Sequence, residues 1–321
     1  MRFSIIIPMF NVEEYIERCI LSCTRQNIPP SEYEIILIND GSPDNSLKVA
    51  EKVSSKFNNI TIISQENQGL SIARNNGLMI AKGDYVWFVD SDDWIEENCI
   101  MQLYSKCLES ELDVLLFGAN DCDGINCSKR ILPLGHTDCV IDGKSYLLSN
   151  QIVFPVCFKI FRREFLRSNE LYFMKGKMHE DNEFIPKAFY LANKISFLNE
   201  VYYNVYANPK SITRSVNPKK SFDLIKVAQS HLDFMNKEVH EVDLKKQFCT
   251  YIGLALNSAL ENSKSMDDYN INKLYFELKK NKHLFYYMKQ SNNVKYKLEA
   301  QLFLLWPLLF KKLYATYLKC T

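Results

Sequence analysis

Two hydrophobic rhythms alternate along the first part of the chain. Arg2–Pro8, RFSIIIP, is an almost unbroken apolar run, which predicts a strand buried on both faces and stopped by Pro8. Asn11 is followed three residues later by Glu14, a capping-box spacing. Tyr15, Ile16, Cys19, Ile20 and Cys23 then fall on one face of a helix. Pro29-Pro30 marks a loop before a second buried strand, Tyr33–Asn39 (YEIILIN), which ends in the turn residues Asp40-Gly41-Ser42. The pattern repeats with a helix from Ser46 to about Phe57, a short strand at Ile60–Ile63 and a helix at Leu70–Ala81 with Gly83 near its C-terminal end. A fourth strand, Tyr85–Val89, runs into Asp90-Ser91-Asp92-Asp93.

Strand–helix alternation with short loops implies right-handed βαβ units and a mainly parallel, doubly wound α/β sheet of Rossmann-like type. Ligands of such sheets bind beyond the carboxyl ends of the strands. Three polar sites should therefore converge on one edge: Pro8–Asn11, Asn39–Asp40 and Asp90–Asp92. Neither a GxGxxG nor a Walker-type loop follows the first strand, which disfavours dinucleotide and P-loop chemistry. Clustered acids repel one another unless a cation sits among them, and hard oxygen ligands suit Mg²⁺ or Mn²⁺. A solvated acidic turn that caps a following helix is the competing reading, with Asp93 as the N-cap.

Downstream the pattern predicts a helix over Ile95–Leu108, a strand at Asp113–Gly118, and loops with short strands over Asp121–Asp142. Val153–Phe161 is apolar with Lys159 inside it. His179-Glu180-Asp181 precedes a helical stripe of Phe184, Ile185, Ala188, Phe189 and Leu191, and Ile195–Val205 is strand-like. From about Ser221 onward the chain reads as helical throughout.

Composition narrows the classes. The 321 residues, 47% hydrophobic and 24% charged, suit one large or two moderate packed domains. A net charge of +1 gives no bulk attraction for nucleic acid. The 10 cysteines, with no leader ahead of Met1-Arg2 and several at apolar-face positions, read as reduced, mostly buried thiols of a cytoplasmic protein. Cys122 and Cys127 lack the second pair that a zinc site needs. The longest apolar stretch near the C-terminus, Leu302–Phe310 (LFLLWPLLF), is too short to span a bilayer.

Four segments, SIIIPMFNVEEYIERCILS, EIILINDGSPDNS, NQGLSIARNNGLMIAKGDY and VWFVDSDDW, stand in the order and spacing that resembles the family-two inverting glycosyltransferases of glycosyltransferase A-type fold. The likeness is strong over Arg2–Trp94 and looser through FKIFRR and HEDNEF. It implies that Asp90-Ser91-Asp92 is a DxD motif, with Asp92 holding a Mn²⁺ or Mg²⁺ ion against a nucleoside diphosphate and Asp90 contacting the ribose or the metal. It implies that Asp40 accepts a hydrogen bond from a uracil base lined by Pro8, Phe10 and Asn11, with Phe10 either stacked on the base or packed in the core. Arg74 would serve the diphosphate or orient an acid. Glu180-Asp181 resembles the pair that ends in the general base, so Asp181 would deprotonate the acceptor hydroxyl. His179 is a helper or structural. Lys159 and Arg163 stand where relatives place a cation near the acceptor or diphosphate, although Cys157-Phe158 replaces the usual aromatic-Asn pair; Arg214 is a similar candidate.

The implied organisation is a catalytic domain over residues 1–214, with a donor half (1–94) and an acceptor half (95–214), and a helical region over 215–321. The implied activity is metal-dependent transfer of a sugar from a nucleotide sugar, a UDP-sugar by the Asp40 position, to a hydroxyl of a growing glycan such as a capsule, lipopolysaccharide or exopolysaccharide. Two other readings stay open: a polyprenyl-phosphate acceptor, and a non-catalytic nucleotide-sugar-binding protein. Leu302–Phe310, bordered by Lys311-Lys312 and Lys319 and by Trp306, Tyr314 and Tyr317, resembles an interfacial helix. It predicts contact with the cytoplasmic face of the inner membrane and a lipid-linked glycan acceptor, or else packing on the catalytic domain or in a homodimer.

Overall fold

The computed structural model describes residues 1–124, 126–131, 139–149, 151–208 and 217–310. Two compact units divide the chain, one comprising Met1–Gly176 and Ala188–Ser211, the other Lys177–Lys187 and Ile212–Thr321.

The first unit is built on strands β1 (Phe3–Met9), β2 (Tyr33–Asn39), β3 (Ile60–Ser64) and β4 (Tyr85–Phe88), with helices α1 (Ile16–Thr24), α2 (Ser46–Ser54) and α3 (Leu70–Ile80) as crossovers. All four strands are parallel, in the order β3-β2-β1-β4. The unbroken Ile and Leu runs of β1 and β2 are buried at every residue, as a sheet covered on both faces requires. β1 continues through Pro8 to Met9 instead of stopping at the proline. Its pairing with β4 ends at Ile6, so a residue without an N–H is tolerated past that point.

Beyond β4 the sheet becomes mixed. β5 is Trp94–Ile95, followed by α4 (Ile100–Glu109), β6 (Val114–Cys122), β7 (Cys127–Ile131), α5 (Gly143–Ser149), β8 (Lys159–Arg162), α6 (Arg163–Ser168), α7 (Glu180–Leu191) and β9 (Ile195–Tyr206). β8 inserts antiparallel between β4 and β6, and β9 runs parallel to β6. Among the described residues nine strands form one sheet, with β7 hanging off β6.

Several local expectations fail for identifiable reasons. Asn11 does not cap α1: it sits at φ 57, a left-handed conformation that Asn tolerates, and the helix begins five residues later at Ile16. Glu13 instead accepts hydrogen bonds from the backbone N–H and Nδ2 of Asn45, fastening this loop to the start of α2. The helix expected from Ile95 begins at Ile100, because Trp94 and Ile95 pair with Asn204 and Tyr203 of β9. Asp93 therefore caps nothing. Gly83 lies beyond the C-cap of α3, at Ala81, and is needed for proximity: a Cβ there would stand 2.5 Å from the Phe3 carbonyl carbon and the Ser4 nitrogen. The cysteines are not all reduced, because Cys122 and Cys127 are cross-strand partners of the β6–β7 hairpin and form a disulfide with Cα atoms 4.2 Å apart.

The second unit holds α8 (Lys219–Glu238), α9 (Val242–Asn262), α10 (Asp268–Lys280), α11 (His283–Met288) and α12 (Val294–Leu305). α8 and α9 pack with Ser221 Oγ donating to the Ala259 carbonyl. Buried His231 stands between Asn182 O, 3.0 Å from its Nε2, and the rings of Phe248 and Tyr251. Burial pushes its imidazole down to about 3, which keeps the ring neutral. Phe285 and Phe303 stack at 3.8 Å and tie α11 to α12.

Candidate active site

Three strand ends meet where the parallel sheet predicts. Phe10 follows β1, Asp40 follows β2 and Asp90 follows β4; the Asp40 N–H donates to the Met9 carbonyl and the Val89 N–H to that of Ile6. Phe10 is 44% exposed at this edge, which rules out the core-packing alternative for its ring. Pro8 is buried in β1, and the exposed Asn11 receives a 3.4 Å contact between its N–H and Ser42 Oγ.

Asp40 is buried and organises the loop that leads into α3. Its Oδ1 accepts from Gln65 Nε2 at 2.7 Å and from the Gln68 N–H at 2.9 Å, and its Oδ2 accepts from the Gly69 N–H at 2.8 Å. A carboxylate offers about four lone-pair sites, so one stays open for a further donor. Gly69 adopts φ 90 as the N-cap of α3, a backbone geometry only glycine adopts without strain.

The acidic cluster is braced on every side. Arg74, buried on α3, gives Asp90 Oδ1 a 2.7 Å ion pair and lies 5.2 Å from the Phe173 ring centroid. Asp90 and Asp93 close a turn through a 3.1 Å backbone bond. Tyr203 of β9 reaches under that turn: its hydroxyl donates to Asp93 Oδ2 at 2.8 Å and accepts from the Asp90 N–H at 3.0 Å. Asp93 Oδ1 accepts from the Tyr206 N–H at 2.7 Å, so this carboxylate clamps β9 to the turn. Asp92 Oδ2 accepts from Asn208 Nδ2 at 2.9 Å. From α1, Arg18 donates to the Asp92 carbonyl at 2.7 Å, and its guanidinium lies 4.0 Å from the Trp94 ring centroid and 4.8 Å from that of Tyr206.

These surroundings shift the titrations. Burial, and then the charge of Asp90, raise the Asp92 carboxyl above the usual range, against a lowering by the Asn208 bond. Burial raises Asp93 well above its ordinary value, with Asp90 and Asp92 adding to it. Burial also lowers Arg18, against the pull of Asp93. A buried acid held beside a second acid is a site where a cation is welcome. Among the described residues no group of three or more His, Cys, Asp or Glu side chains could enclose a metal. Asp90 and Asp92 bring two carboxylates to this edge, the number Mg²⁺ takes from a protein when substrate phosphates and water complete its shell.

Over residues 4–168 the chain matches the family model described as glycosyl transferase family 2. The chain belongs to that family. It is 33% identical over 241 residues to the uncharacterized glycosyltransferase EpsJ of Bacillus subtilis, covering 73% of this chain and 69% of EpsJ. It is 28% identical over 255 residues to the poly(ribitol-phosphate) β-N-acetylglucosaminyltransferase TarS of Staphylococcus aureus, covering 77% of this chain and 44% of TarS. The crystal structure of the N-terminal part of TarS in complex with UDP-GlcNAc superposes with a TM-score of 0.65 at 26% identity, over 90% of this chain and 80% of that one. The fold is thus the glycosyltransferase A type, and the protein is a glycosyltransferase.

The remaining expected residues of this family-two enzyme stand on later elements of the chain. Glu180 and Asp181 occupy the first turn of α7, in the segment Lys177–Lys187 of the second unit, with His179 before them at φ 63. Burial lowers the His179 imidazole, with Lys220 adding to the effect. Lys159 is fully buried in β8; its Nζ donates to the Pro155 carbonyl at 2.8 Å and lies 5.8 Å from the Phe189 ring centroid. Arg163 Nε donates to the Gly83 carbonyl at 2.7 Å, a structural contact. Arg214 lies outside the described residues. Sequence reasoning missed Arg18, Gln65, Tyr203, Tyr206 and Asn208. Arg18 read as the polar side of α1, and the β9 residues sit more than a hundred positions from the acids they hold.

Proposed function

We propose that the enzyme transfers a sugar from a UDP-sugar to a hydroxyl of a growing glycan in a single inverting displacement. The observation that carries this reading is the shared sheet edge on which exposed Phe10, buried Asp40 and the braced pair Asp90 and Asp92 stand side by side in a family-two chain. Phe10 offers a ring face to the base, and Asp40 has one lone pair left for the uracil N3–H after serving the 65–69 loop. A relative of the same fold in complex with UDP-GlcNAc, 26% identical, supports UDP as the nucleotide. Asp92, with Asp90 oriented by Arg74, would hold Mn²⁺ or Mg²⁺. When bound, such an ion stabilises the charge that develops on the leaving diphosphate. Asp181, by its place in the ED pair at the start of α7, takes the proton of the acceptor hydroxyl. Residues 1–214 would be the catalytic domain.

Thermal shifts with a panel of nucleotide sugars, with and without Mn²⁺, test the donor side directly. A UDP-sugar should raise the melting temperature more with Mn²⁺ than without, and the Mn²⁺-dependent part should vanish in Asp92→Ala. No shift with any nucleotide sugar would overturn the reading. On the acceptor side, Asp181→Asn should remove transfer to a hydroxyl while leaving the donor shift intact.

A further inference from the structure

We propose that the outer face of α12, continued by Trp306 and Leu308, docks the protein on an anionic lipid surface. Helix α12 carries apolar residues on two opposite sides, with Lys295, Lys297, Glu299 and Gln301 interspersed. Its inner side buries Tyr296, Ala300 and Phe303. Its opposite side carries Val294, Leu298 and Leu305, 68%, 60% and 65% exposed, at the spacing of one helical stripe. The stripe runs on into Trp306 and Leu308, also exposed. A helix that is apolar on two sides is ordinarily covered on both. Here the second side faces outward among Lys295 and Lys297, both exposed.

Charge selects the occupant. Between Lys273 and Phe310 the sequence holds seven lysines and two glutamates, a net +5, against +1 for the whole chain, so the remainder carries −4. A closed homodimer through this face would set Lys295 and Lys297 against their own copies, because a two-fold interface pairs each surface with itself. An anionic bilayer meets both demands: its acyl boundary accepts the leucines and tryptophan, and its surface potential attracts the lysines. Trp306, at the edge of the stripe, matches the preference of tryptophan for the headgroup level.

The test is co-sedimentation of the full chain with vesicles of phosphatidylcholine alone and of phosphatidylcholine mixed with phosphatidylglycerol. Binding should be confined to the anionic vesicles, weaken with added salt, and blue-shift a fluorescence component that is lost in Trp306→Phe. The double variant Lys295→Ala, Lys297→Ala should weaken partition by about fivefold per lysine. Leu298→Gln with Leu305→Gln should weaken it by about tenfold or more. Both pairs are exposed, so unchanged thermal melting will show that the variants stay folded. Three results each overturn the proposal: no partition by the folded protein, equal partition to neutral and anionic vesicles, or a concentration-dependent dimer that the leucine substitutions abolish.

Discussion

Tyr203→Phe removes one oxygen atom from beneath the acidic turn and leaves the packing volume almost unchanged. The ring is fully buried, and it packs 5.5 Å from Phe158 and 6.4 Å from Trp87 between centroids. No cavity forms and no rotamer is forced, so the effect isolates two hydrogen bonds. The bond to Asp93 Oδ2, at 2.8 Å, goes to a carboxylate; such bonds contribute about 1.5–3 kcal/mol. The bond from the Asp90 N–H, at 3.0 Å, is neutral and contributes about 1 kcal/mol. Together they predict a loss of about 2.5–4 kcal/mol, since water has no ready access to the orphaned groups. For a unit of this size that lowers the melting temperature by about 5–12 °C. Activity should fall further than stability explains. The Asp90 N–H sets the turn that aims Asp90 and Asp92, and small misplacements of a positioned group cost up to about 100-fold in rate. The assay pairs urea unfolding of the variant with transfer kinetics measured well below its melting point. A stability loss under about 1 kcal/mol would refute the reasoning, because it would mean that the hydroxyl is exchanged for water without cost.

Other sites give sharper contrasts. Asp92→Asn should abolish metal-dependent turnover yet raise the melting temperature of the free protein at neutral pH, since the native carboxyl is raised by burial and by Asp90. The sign follows from linkage: a raised carboxyl contributes stability at low pH and loses it as pH rises through the native value, so the gain of the variant should shrink as the melts are repeated toward pH 4. Arg74→Met should lower stability by about 1–3 kcal/mol by leaving the partly exposed Asp90 without its partner, and Arg74→Lys should restore only part of it in the same urea titration. Asp113→Ala should be comparably severe without touching donor binding in a thermal-shift assay. That buried acid receives the Arg162 guanidinium and the backbone N–H groups of Asn193 and Lys194, and it lies away from the donor edge. Gly83→Ala should cost about 1–3 kcal/mol or more in a chemical melt, because the new methyl meets the β1 backbone rather than a side chain that could move.

Which parts of this enzyme were legible follows from how far each signal reaches along the chain. β1, β2 and β4 announce themselves because a strand covered on both faces needs apolar residues without a break, and the acids at their ends stand out by contrast. The turn after β4 does not announce its supports. Tyr203 and Tyr206 alternate in β9 like any strand residues, and only the pairing of β5 with β9 brings them under Asp93. β5 is two residues long and carries no period, so the helical spacing that begins with Ile100 was read back to Ile95. Asn98, at φ 56, is the actual break. Lys159 stands out in an apolar run, but the sequence gives no sign that its ammonium donates to the Pro155 carbonyl, which becomes visible only in the fold. The Cys122–Cys127 bridge was hidden because its spacing becomes meaningful only when the two residues face each other across a hairpin.

The acidic turn also explains why so much of the first unit is spent on one feature. Three carboxylates fall within four residues, and each meets a different partner. Asp90 has Arg74, Asp93 has Tyr203 and the Tyr206 N–H, and Asp92 has the neutral amide of Asn208. Arg18, which would be the obvious counter-ion for Asp92, donates to its backbone carbonyl and lays its guanidinium on Trp94 and Tyr206. Asp90 is thus tied by a cation, Asp93 and Asp92 are held by neutral donors that orient without neutralising, and of those two only Asp92 is partly exposed. A partly buried charge beside a second acid is costly, and its raised proton affinity reflects that cost. The fold sustains this arrangement because the surrounding sheet over-determines the turn, and the unneutralised charge is what a divalent cation would meet. Replacing Asn208 by Asp would add a second acid there and should tighten divalent binding at the expense of stability. Replacing it by Lys should neutralise Asp92 and remove the dependence of donor binding on Mn²⁺. Retention of that dependence in a folded Asn208→Lys variant would place the metal elsewhere.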